Sequence, residues 1–333
     1  MYRVWIMKKD IAMEAANFTL KFGGANLLDY LEEIVLPAFL GERVRRYADT
    51  RYFFTNVTLT EIQGVVCLVG RFVKDVMLHS EQRFIKGEIV QDERKMQSSP
   101  SAVFVLMLDT HRVIFGKETK HPPTLQNFEG TAIRFLKDAH KEYIERLYNE
   151  ADEEGRKITK VGLLKEHPYP ELQVVPLSSE GDINSFIKRF AKLQRVQYTF
   201  TPRNDEADNA GFFFDSAQEQ QAVVGSKTLT ITHTNKEGLD KSSVTEEVAA
   251  ATAQGNQVVK LTGLDKAGDK LNGDNADFQI KKKIEVPGRR VEVIADYLVH
   301  GFMDWVSNKL IKLPVVPKRS REKLQQVKDS YEE

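Results

Sequence analysis

The chain has 333 residues, and its 48 Lys and Arg balance 48 Asp and Glu, so the formal net charge at pH 7 is zero. A hydrophobic fraction of 41% and a charged fraction of 29% are typical of globular proteins and exclude an intrinsically disordered chain. Because the total charge is neutral, attraction to a polyanion has to come from an uneven distribution of charge along the chain.

The chain carries one cysteine, Cys67, which excludes an intrachain disulfide and a zinc site built from cysteines. No apolar stretch reaches the length of about 20 residues that a membrane span needs. The first nine residues lack the apolar core of a signal peptide. We therefore expect a cytoplasmic protein with no transmembrane segment of its own.

The N-terminal half is rich in strand signals. Residues 1–9 indicate a first strand, and residues 57–62 alternate apolar and polar side chains as a half-buried strand does. A second apolar run follows Gly64, which predicts a hairpin. A further strand is predicted at residues 84–90. Residues 101–109 form another strand, and residues 112–115 are its hairpin partner.

Two helices are predicted beside these strands. Residues 27–35 have helical spacing of leucine and isoleucine, and Pro37 ends or kinks that helix. Residues 125–149 form the second helix, with Thr124 as its N-cap. The charged segment 150–157 that follows contains a glycine and few apolar residues, which indicates a boundary between domains.

The C-terminal half alternates between the two periodicities. Strands are predicted at residues 172–177, 196–200, 228–232, 258–263 and 277–280. Helices are predicted at residues 183–190, 211–224 and 244–253. A last apolar helix at residues 291–310 suits either the core or a contact with a partner subunit, and a polar, basic segment follows it.

These elements predict an α+β protein. We expect a mostly antiparallel sheet with flanking helices over residues 1–150 and a compact α/β domain, ending in a long helix, over residues 156–312. Residues 313–333 are predicted to be a basic polar tail. Two domains agree with the length, because single hydrophobic cores stop growing at about 250–300 residues.

The motifs of common catalytic sites are missing from the sequence. It contains no glycine-rich phosphate loop followed by Lys-Ser or Lys-Thr, and no serine on a glycine-flanked nucleophile elbow. None of the seven histidines forms the His-Glu-x-x-His pair of zinc hydrolases. We expect no cofactor, and a binding role fits the residues better than an enzymatic one.

A nuclease that depends on divalent metal ions is the enzymatic alternative. Such enzymes hold their ions with carboxylates near strand ends and a nearby lysine. Residues of these types lie close to the predicted strand ends at Asp75, Glu88, Asp92 and Glu93, with Lys86 and Lys95 nearby. Their spacing is loose, and solvated carboxylates at strand ends are the simpler interpretation.

Charge is distributed unevenly in the C-terminal half. Residues 201–280 contain 13 Asp and Glu against 7 Lys and Arg, whereas residues 281–328 contain 12 Lys and Arg against 5 Asp and Glu. Basic clusters can neutralise phosphates, although a charge run can also be plain solvated surface. The candidate nucleic-acid-binding residues are Arg45, Arg46, Arg51, Lys281, Lys282, Lys283, Arg289, Arg290, Lys318, Arg319 and Arg321.

Short segments in a particular order suggest a relationship. They are Pro100-Ser101-Ala102-Val103-Phe104-Val105, Val113-Ile114-Phe115, Pro123-Thr124, Val174-Val175-Pro176-Leu177 with Asp182, and Asp205 through Phe212, Phe214, Asp215 and Ser216. From about residue 98 to about residue 285, this layout resembles the A protein of the Rex exclusion system of lambdoid phages. The resemblance implies a dimeric DNA-binding sensor in abortive infection that works with an effector. It transfers no functional residue, because the matching positions have a structural character.

Three functions follow as expectations. The first is a non-enzymatic DNA-binding protein in anti-phage defence, a homo-oligomer that works with a membrane or effector protein partner. The second is the metal-dependent nuclease effector. The third is a protein-interaction adaptor that uses the helix at residues 291–310 through Phe302 and Trp305.

Overall fold

The protein is described by a computed structural model that covers residues 8–200 and 212–332. Strands and helices are both abundant, and the expected α+β class is confirmed. Most of the first strand, predicted at residues 1–9, and residues 205–211 of the last segment of the Rex resemblance lie outside these residues. So do the first residue of the helix predicted at residues 211–224 and the last residue of the predicted tail.

The described strands, in chain order, are β1 (Lys8–Phe22), β2 (Ala25–Asn26), β3 (Val44–Tyr47), β4 (Thr50–Ile62), β5 (Val65–His79), β6 (Gln82–Ile85), β7 (Glu88–Gln91), β8 (Lys95–Ser98), β9 (Ser101–Met107), β10 (Arg112–Lys117), β11 (Glu171–Pro176), β12 (Phe190–Phe200), β13 (Leu229–Thr234), β14 (Gln257–Asp265), β15 (Lys270–Asp274) and β16 (Lys281–Pro287). The described α-helices are α1 (Leu36–Leu40), α2 (Leu125–Glu153), α3 (Lys160–Glu166), α4 (Glu180–Ile187), α5 (Phe212–Val224), α6 (Lys241–Thr252), α7 (Val291–Ser307) and α8 (Lys318–Glu332). The predicted helix at residues 27–35 is instead a 3-10 turn followed by a π-helical turn, and Pro37 lies in the first turn of α1 rather than ending a helix.

One large antiparallel sheet organises the molecule. Its strand order is β11-β1-β10-β9-β5-β4-β3, with β2 and β16 also paired to β1 and β8 paired to β5. The long strand β1 has two partners along one edge, because β11 pairs with residues 16–21 and β16 with residues 8–14. The hairpins predicted around Gly64 and between β9 and β10 are confirmed.

The central strand β9 is buried on both of its faces, as its continuous apolar sequence predicts. Phe104 and Leu106 point to a core that α1 and α2 cover, where rings from the helices and the sheet pack together. Val103 and Val105 point to a second core, which α7 fills with Leu298 and other apolar side chains. Helices therefore cover both faces of the middle of the sheet.

The predicted helix at residues 291–310 is confirmed as α7, and it belongs to the core. Phe302 and Trp305 are buried against the large sheet, so they are not presented to a partner. The adaptor hypothesis in its original form, which needed these two side chains on a surface, is corrected by this packing.

A smaller antiparallel sheet, in the order β13-β12-β14-β15, forms the rest of the C-terminal half. The helices α4 and α6 pack on it around Phe186, Phe190 and Val248. The predicted strand at residues 277–280 is wrong, because the chain turns earlier. The Asp265 carboxylate accepts hydrogen bonds from the backbone N–H groups of Ala267 (2.8 Å) and Asp269 (3.0 Å), which starts β15 soon after β14 ends.

The predicted division between residues 150 and 156 does not coincide with a break between sheets. After α2 ends at Glu153, β11 and β16 return to pair with β1, and α7 covers the second face of the large sheet. The physical reason is that β1 would otherwise leave an edge of unpaired N–H and C=O groups. Both halves of the chain therefore build the large sheet.

Two further predictions differ from the structure. The predicted basic polar tail contains a packed helix, because residues 318–332 form the amphipathic helix α8, whose Leu324 and Val327 are buried against the first core. The single strand predicted at residues 84–90 is the hairpin β6–β7. Lys86 and Gly87 both have positive φ angles (49° and 92°), which turns the chain in two residues.

Candidate nucleic-acid interface

The strands β3, β4, β5 and β8 extend past the region of the large sheet that α7 covers, so part of that face is exposed. Residues opposite each other in neighbouring strands share a face. Arg46 lies opposite Arg51, Arg51 lies opposite Asp75, and His79 lies opposite Lys95. On β5, Asp75 and His79 lie on the same face as Cys67 and Val69, because alternate residues of a strand share a face. Cys67 and Val69 belong to the second core, so the whole group lies on the side of the sheet that α7 packs against.

Arg51 is held on this face by the buried Asp75 carboxylate. Its Nε donates to Oδ2 of Asp75 at 2.8 Å, and its Nη2 donates to the same oxygen. Gln97 (2.9 Å) and Ser99 (2.8 Å) donate to the other oxygen of that carboxylate. These hydrogen bonds, first from Gln97 and then from Arg51 and Ser99, hold the pKa of Asp75 below its ordinary value of 3.8, so it stays ionised beneath the arginine.

A second arginine is anchored in the same way and connects this face to the C-terminal half. The Arg71 guanidinium donates through Nε and Nη2 to the buried Glu118 carboxylate, at 2.7 Å and 2.9 Å. Its Nη2 also donates to the backbone carbonyl of Arg289 at 2.8 Å. Arg289 lies two residues before the start of α7, so this hydrogen bond joins β5 to the segment that leads into α7.

We call the set Arg46, Arg51, Arg71, Lys95 and Arg289 the basic face. Arg46, Lys95 and Arg289 are exposed, and among the described residues none of the three forms an ion pair through its side chain. Asp75 and Glu118 are only 5% and 7% exposed, so the solvent meets the arginines rather than the carboxylates beneath them. A concavity of about 640 Å³ lies among Arg46, Arg51, His79 and Lys95, and the exposed Asp49 also lines it.

Several of the predicted binding residues lie elsewhere and have other partners. Arg45 points to the opposite side of β3, where it contacts Thr131 and stacks on the rings of Tyr47 and Tyr52. Lys282 pairs with Asp304 (3.1 Å), and Arg290 pairs with Glu292 (3.4 Å). Arg45, Lys282 and Arg290 therefore contact neighbouring side chains.

The other predicted lysines and arginines are exposed but are not part of the basic face. Ile284 and Val286 point to the α7 side, so Lys281 and Lys283 lie on the other side of β16. Lys318, which pairs with Glu322 (3.4 Å), lies on α8 with Arg319 and Arg321. Lys328 of α8 pairs with Glu61 beside the turn from β4 to β5, so this helix lies at the end of the sheet far from Arg51.

Sequence reasoning missed Arg71 as a binding residue and considered Lys95 only for a nuclease. Arg71 follows Cys67 and Val69 in the alternation of β5, where the pattern predicts an apolar side chain. An arginine at a position where the alternation predicts an apolar side chain was the feature of the sequence that could have identified Arg71. Its partner Glu118 is 47 residues away in the chain, so the ion pair itself could not be predicted.

The acidic residues considered for a nuclease do not converge. All the oxygens of Asp75 are occupied by Arg51, Gln97 and Ser99, whereas Glu88 lies beside the turn of the β6–β7 hairpin. Asp92 accepts a hydrogen bond from Ser80 at 3.1 Å. Within residues 8–200 and 212–332, no three His, Cys, Asp or Glu side chains are grouped as a metal site.

A second concavity, of about 460 Å³, lies between the two sheets and α2. The buried Glu14 accepts from Lys117 Nζ (2.7 Å) and Gln279 Nε2 (3.2 Å) there. Burial raises the pKa of Glu129, which accepts from the backbone N–H of Val174. Since acids balance or exceed bases in this cleft, it offers no attraction to phosphates.

Comparison with known proteins gives no assignment, because no protein-family model and no curated protein matches the chain. None of the described helices has both the length and the apolar character that crossing a membrane demands. Statements about function therefore rest on the residues described above.

Proposed function

We propose that the protein is a non-enzymatic DNA-binding protein that acts in anti-phage defence, as a sensor or regulator working with an effector or membrane protein partner. The observation that supports DNA binding best is the basic face, where two arginines are anchored over buried carboxylates beside three exposed cations. The defence role rests on the resemblance to the Rex exclusion system.

The anchored arginines suit contacts with a phosphate backbone. Arg51 and Arg71 use Nε and Nη2 for their carboxylates, and Nη1 of each makes no hydrogen bond to another described residue. A guanidinium already held in place loses less side-chain entropy when it binds a phosphate. Contacts of this kind position a duplex without reading its sequence, so we propose sequence-tolerant binding.

Counterion release gives the proposal a quantitative form. Five phosphate contacts would give a slope of about −4.5 for the logarithm of the association constant against the logarithm of the salt concentration. Affinity would then fall about 500-fold between about 50 mM and about 200 mM salt. Fluorescence polarisation with a labelled duplex of about 30 base pairs measures both quantities.

Two triple variants with the same change in charge test which surface binds. Arg46→Gln, Lys95→Gln and Arg289→Gln together remove the exposed cations of the basic face, and we expect the slope to lose about three units, one for each contact. The matched control, Lys281→Gln, Lys283→Gln and Arg319→Gln, removes three exposed cations elsewhere and is expected to keep the slope.

Equal losses from both variants would show that binding follows only the total charge, and failure to bind at about 50 mM salt would reject DNA binding altogether. The nuclease alternative is tested with plasmid DNA and Mg²⁺ or Mn²⁺, where intact plasmid rejects it. For the defence role, a plaque assay on cells that carry the gene is expected to show fewer plaques than cells with the basic-face variant.

A further inference from the structure

The hairpin that extends from β5 and β8 carries several large apolar side chains that are exposed. We call residues 77–97 the β-arm. Its strands pair beyond the ends of β4 and β9, as Leu78 with Met96 and Phe84 with Ile89. Phe84 is 72% exposed, Ile89 69% and Met96 62%, although each is a large apolar side chain. Large exposed apolar surface of this kind marks a binding surface.

The outer part of the β-arm has two strands with no neighbour on either side. β6 pairs only with β7 among the described strands, so both outer edges present unpaired backbone groups. An isolated two-stranded hairpin is at best marginally stable in water, and a further strand stabilises it. The hairpin is therefore suited to accept another strand.

The turn fixes which backbone groups of β7 are available. A two-residue turn at Lys86-Gly87 makes Ile85 and Glu88 a hydrogen-bonded pair, so Phe84 and Ile89 form the next, non-hydrogen-bonded pair. The backbone N–H and C=O of Ile89 consequently point away from β6. They are available to a strand that approaches the outer edge of β7.

We infer that this strand is β7 of a second copy of the chain, added in antiparallel orientation with Ile89 opposite Ile89 of the second copy. A twofold axis through that pair makes the contact self-complementary, as a closed dimer requires. The two hairpins then form a four-stranded sheet in which Phe84 and Ile89 of each copy make one continuous apolar row. This inference is independent of the proposed DNA binding.

The charges agree with this register. With Ile89 opposite its counterpart, Lys86 lies opposite Asp92 of the second copy, and Glu88 lies opposite Val90. No two like charges are opposite each other over residues 86–92. Shifting the register by two residues in one direction would place Lys86 opposite Arg94, and in the other direction would place Glu88 opposite Glu88 of the second copy, so both alternatives are disfavoured by repulsion.

The same charges disfavour DNA as the partner of the β-arm. Lys95, at the base of the β-arm, belongs to the basic face, but the outer part of the β-arm at residues 80–94 has more acidic than basic residues, which leaves no net attraction to phosphates. They are Glu81, Glu88, Asp92 and Glu93 against Arg83, Lys86 and Arg94.

An engineered disulfide tests the register. Ile89→Cys would place two thiols across the twofold axis with their Cα atoms about 5.5 Å apart, which is within reach of a disulfide. The native Cys67 is buried and does not compete. Under mild oxidation we expect a covalent dimer on a non-reducing gel. The matched control is Phe84→Cys, which is equally exposed but would lie about 14 Å from its counterpart across three strand spacings and should stay monomeric on the gel.

Light scattering after size exclusion tests association without a crosslink. We expect a dimer for the unmodified chain and at least a 100-fold weaker dimer for Ile89→Lys, whereas exposed Val223→Lys, far from the β-arm in sequence, leaves it unchanged. Ile89→Lys lies on an exposed strand, so the fold is expected to survive, which circular dichroism checks. A monomeric unmodified chain, equal crosslinking of both cysteine variants, or loss of DNA retention by Ile89→Lys with no change in mass would overturn the inference.

Discussion

At the scale of residues, the arginines divide into anchored and exposed ones by what lies beneath them. Arg51 and Arg71 sit over carboxylates that are almost completely buried, whereas Arg46 faces Arg51 across the strands and has no such partner. Like charges opposite each other in a sheet repel, and Asp75 offsets that repulsion. The arrangement keeps several positive groups close together without an equal number of exposed acids.

His140 shows how burial makes one residue sensitive to pH. It is completely buried in α2, and its Nε2 lies 2.9 Å from the backbone carbonyl of His167. Burial lowers the pKa of His140 below its ordinary value of 6.5, so the folded protein favours the neutral ring. The unfolded chain binds the proton first as the pH falls, and stability is therefore lost below about pH 6.5.

We predict that His140→Gln makes the loss of stability between about pH 7.5 and about pH 5.5 smaller than in the unmodified chain. Urea unfolding of the variant and the unmodified chain at both pH values measures the difference. The matched control is His79→Gln, the same substitution at an exposed position. An unchanged dependence in His140→Gln would show that this ring does not determine it.

At the scale of elements, α8 is a packed helix in a segment whose composition predicts a basic polar tail. Residues 318–323 are mostly basic and polar, yet Leu324 and Val327 are spaced to fall on one side of a helix and are buried. Lys323 Nζ donates to the backbone carbonyl of Leu28 in the 3-10 turn, and Lys328 pairs with Glu61 of β4 (3.0 Å), so one lysine connects the helix to that turn and the other connects it to the sheet.

We predict that Leu324→Ala lowers the free energy of unfolding by about 2–4 kcal/mol, because it leaves a cavity in a packed core. Arg319→Ala, on the exposed side of the same helix, is expected to change it by less than about 0.5 kcal/mol. Urea unfolding compares the two variants. Equal, negligible effects are the result expected of a free tail and would contradict the packing of α8.

At the scale of the whole molecule, the large sheet joins both halves of the chain. The β1 edge needs β11 and β16, and the second core needs α7. We predict that residues 1–150 expressed alone show no cooperative thermal unfolding by circular dichroism, and that residues 156–333 expressed with them copurify and restore it. A cooperative transition of residues 1–150 alone would instead support the division that the sequence predicts.

The sequence by itself determined what depends on neighbours along the chain. It predicted the α+β class, the β4–β5 and β9–β10 hairpins, the helices α2 and α7, and the Thr124 cap, because periodicity and capping are local. It also identified Arg46, Arg51 and Arg289 as candidates, although with eight others that the fold distributes over other surfaces.

Only the tertiary structure decided which of these residues lie together. The pairing of Arg71 with Glu118 and with the Arg289 carbonyl joins segments that are 47 and 218 residues apart, and no local pattern encodes such contacts. No local pattern encodes the pairing of β11 and β16 with β1 either, because it depends on the unpaired edge of β1 and on the apolar side chains that these strands bury together. The sequence thus determined the elements and the basic residues, and the packing of distant strands determined the basic face.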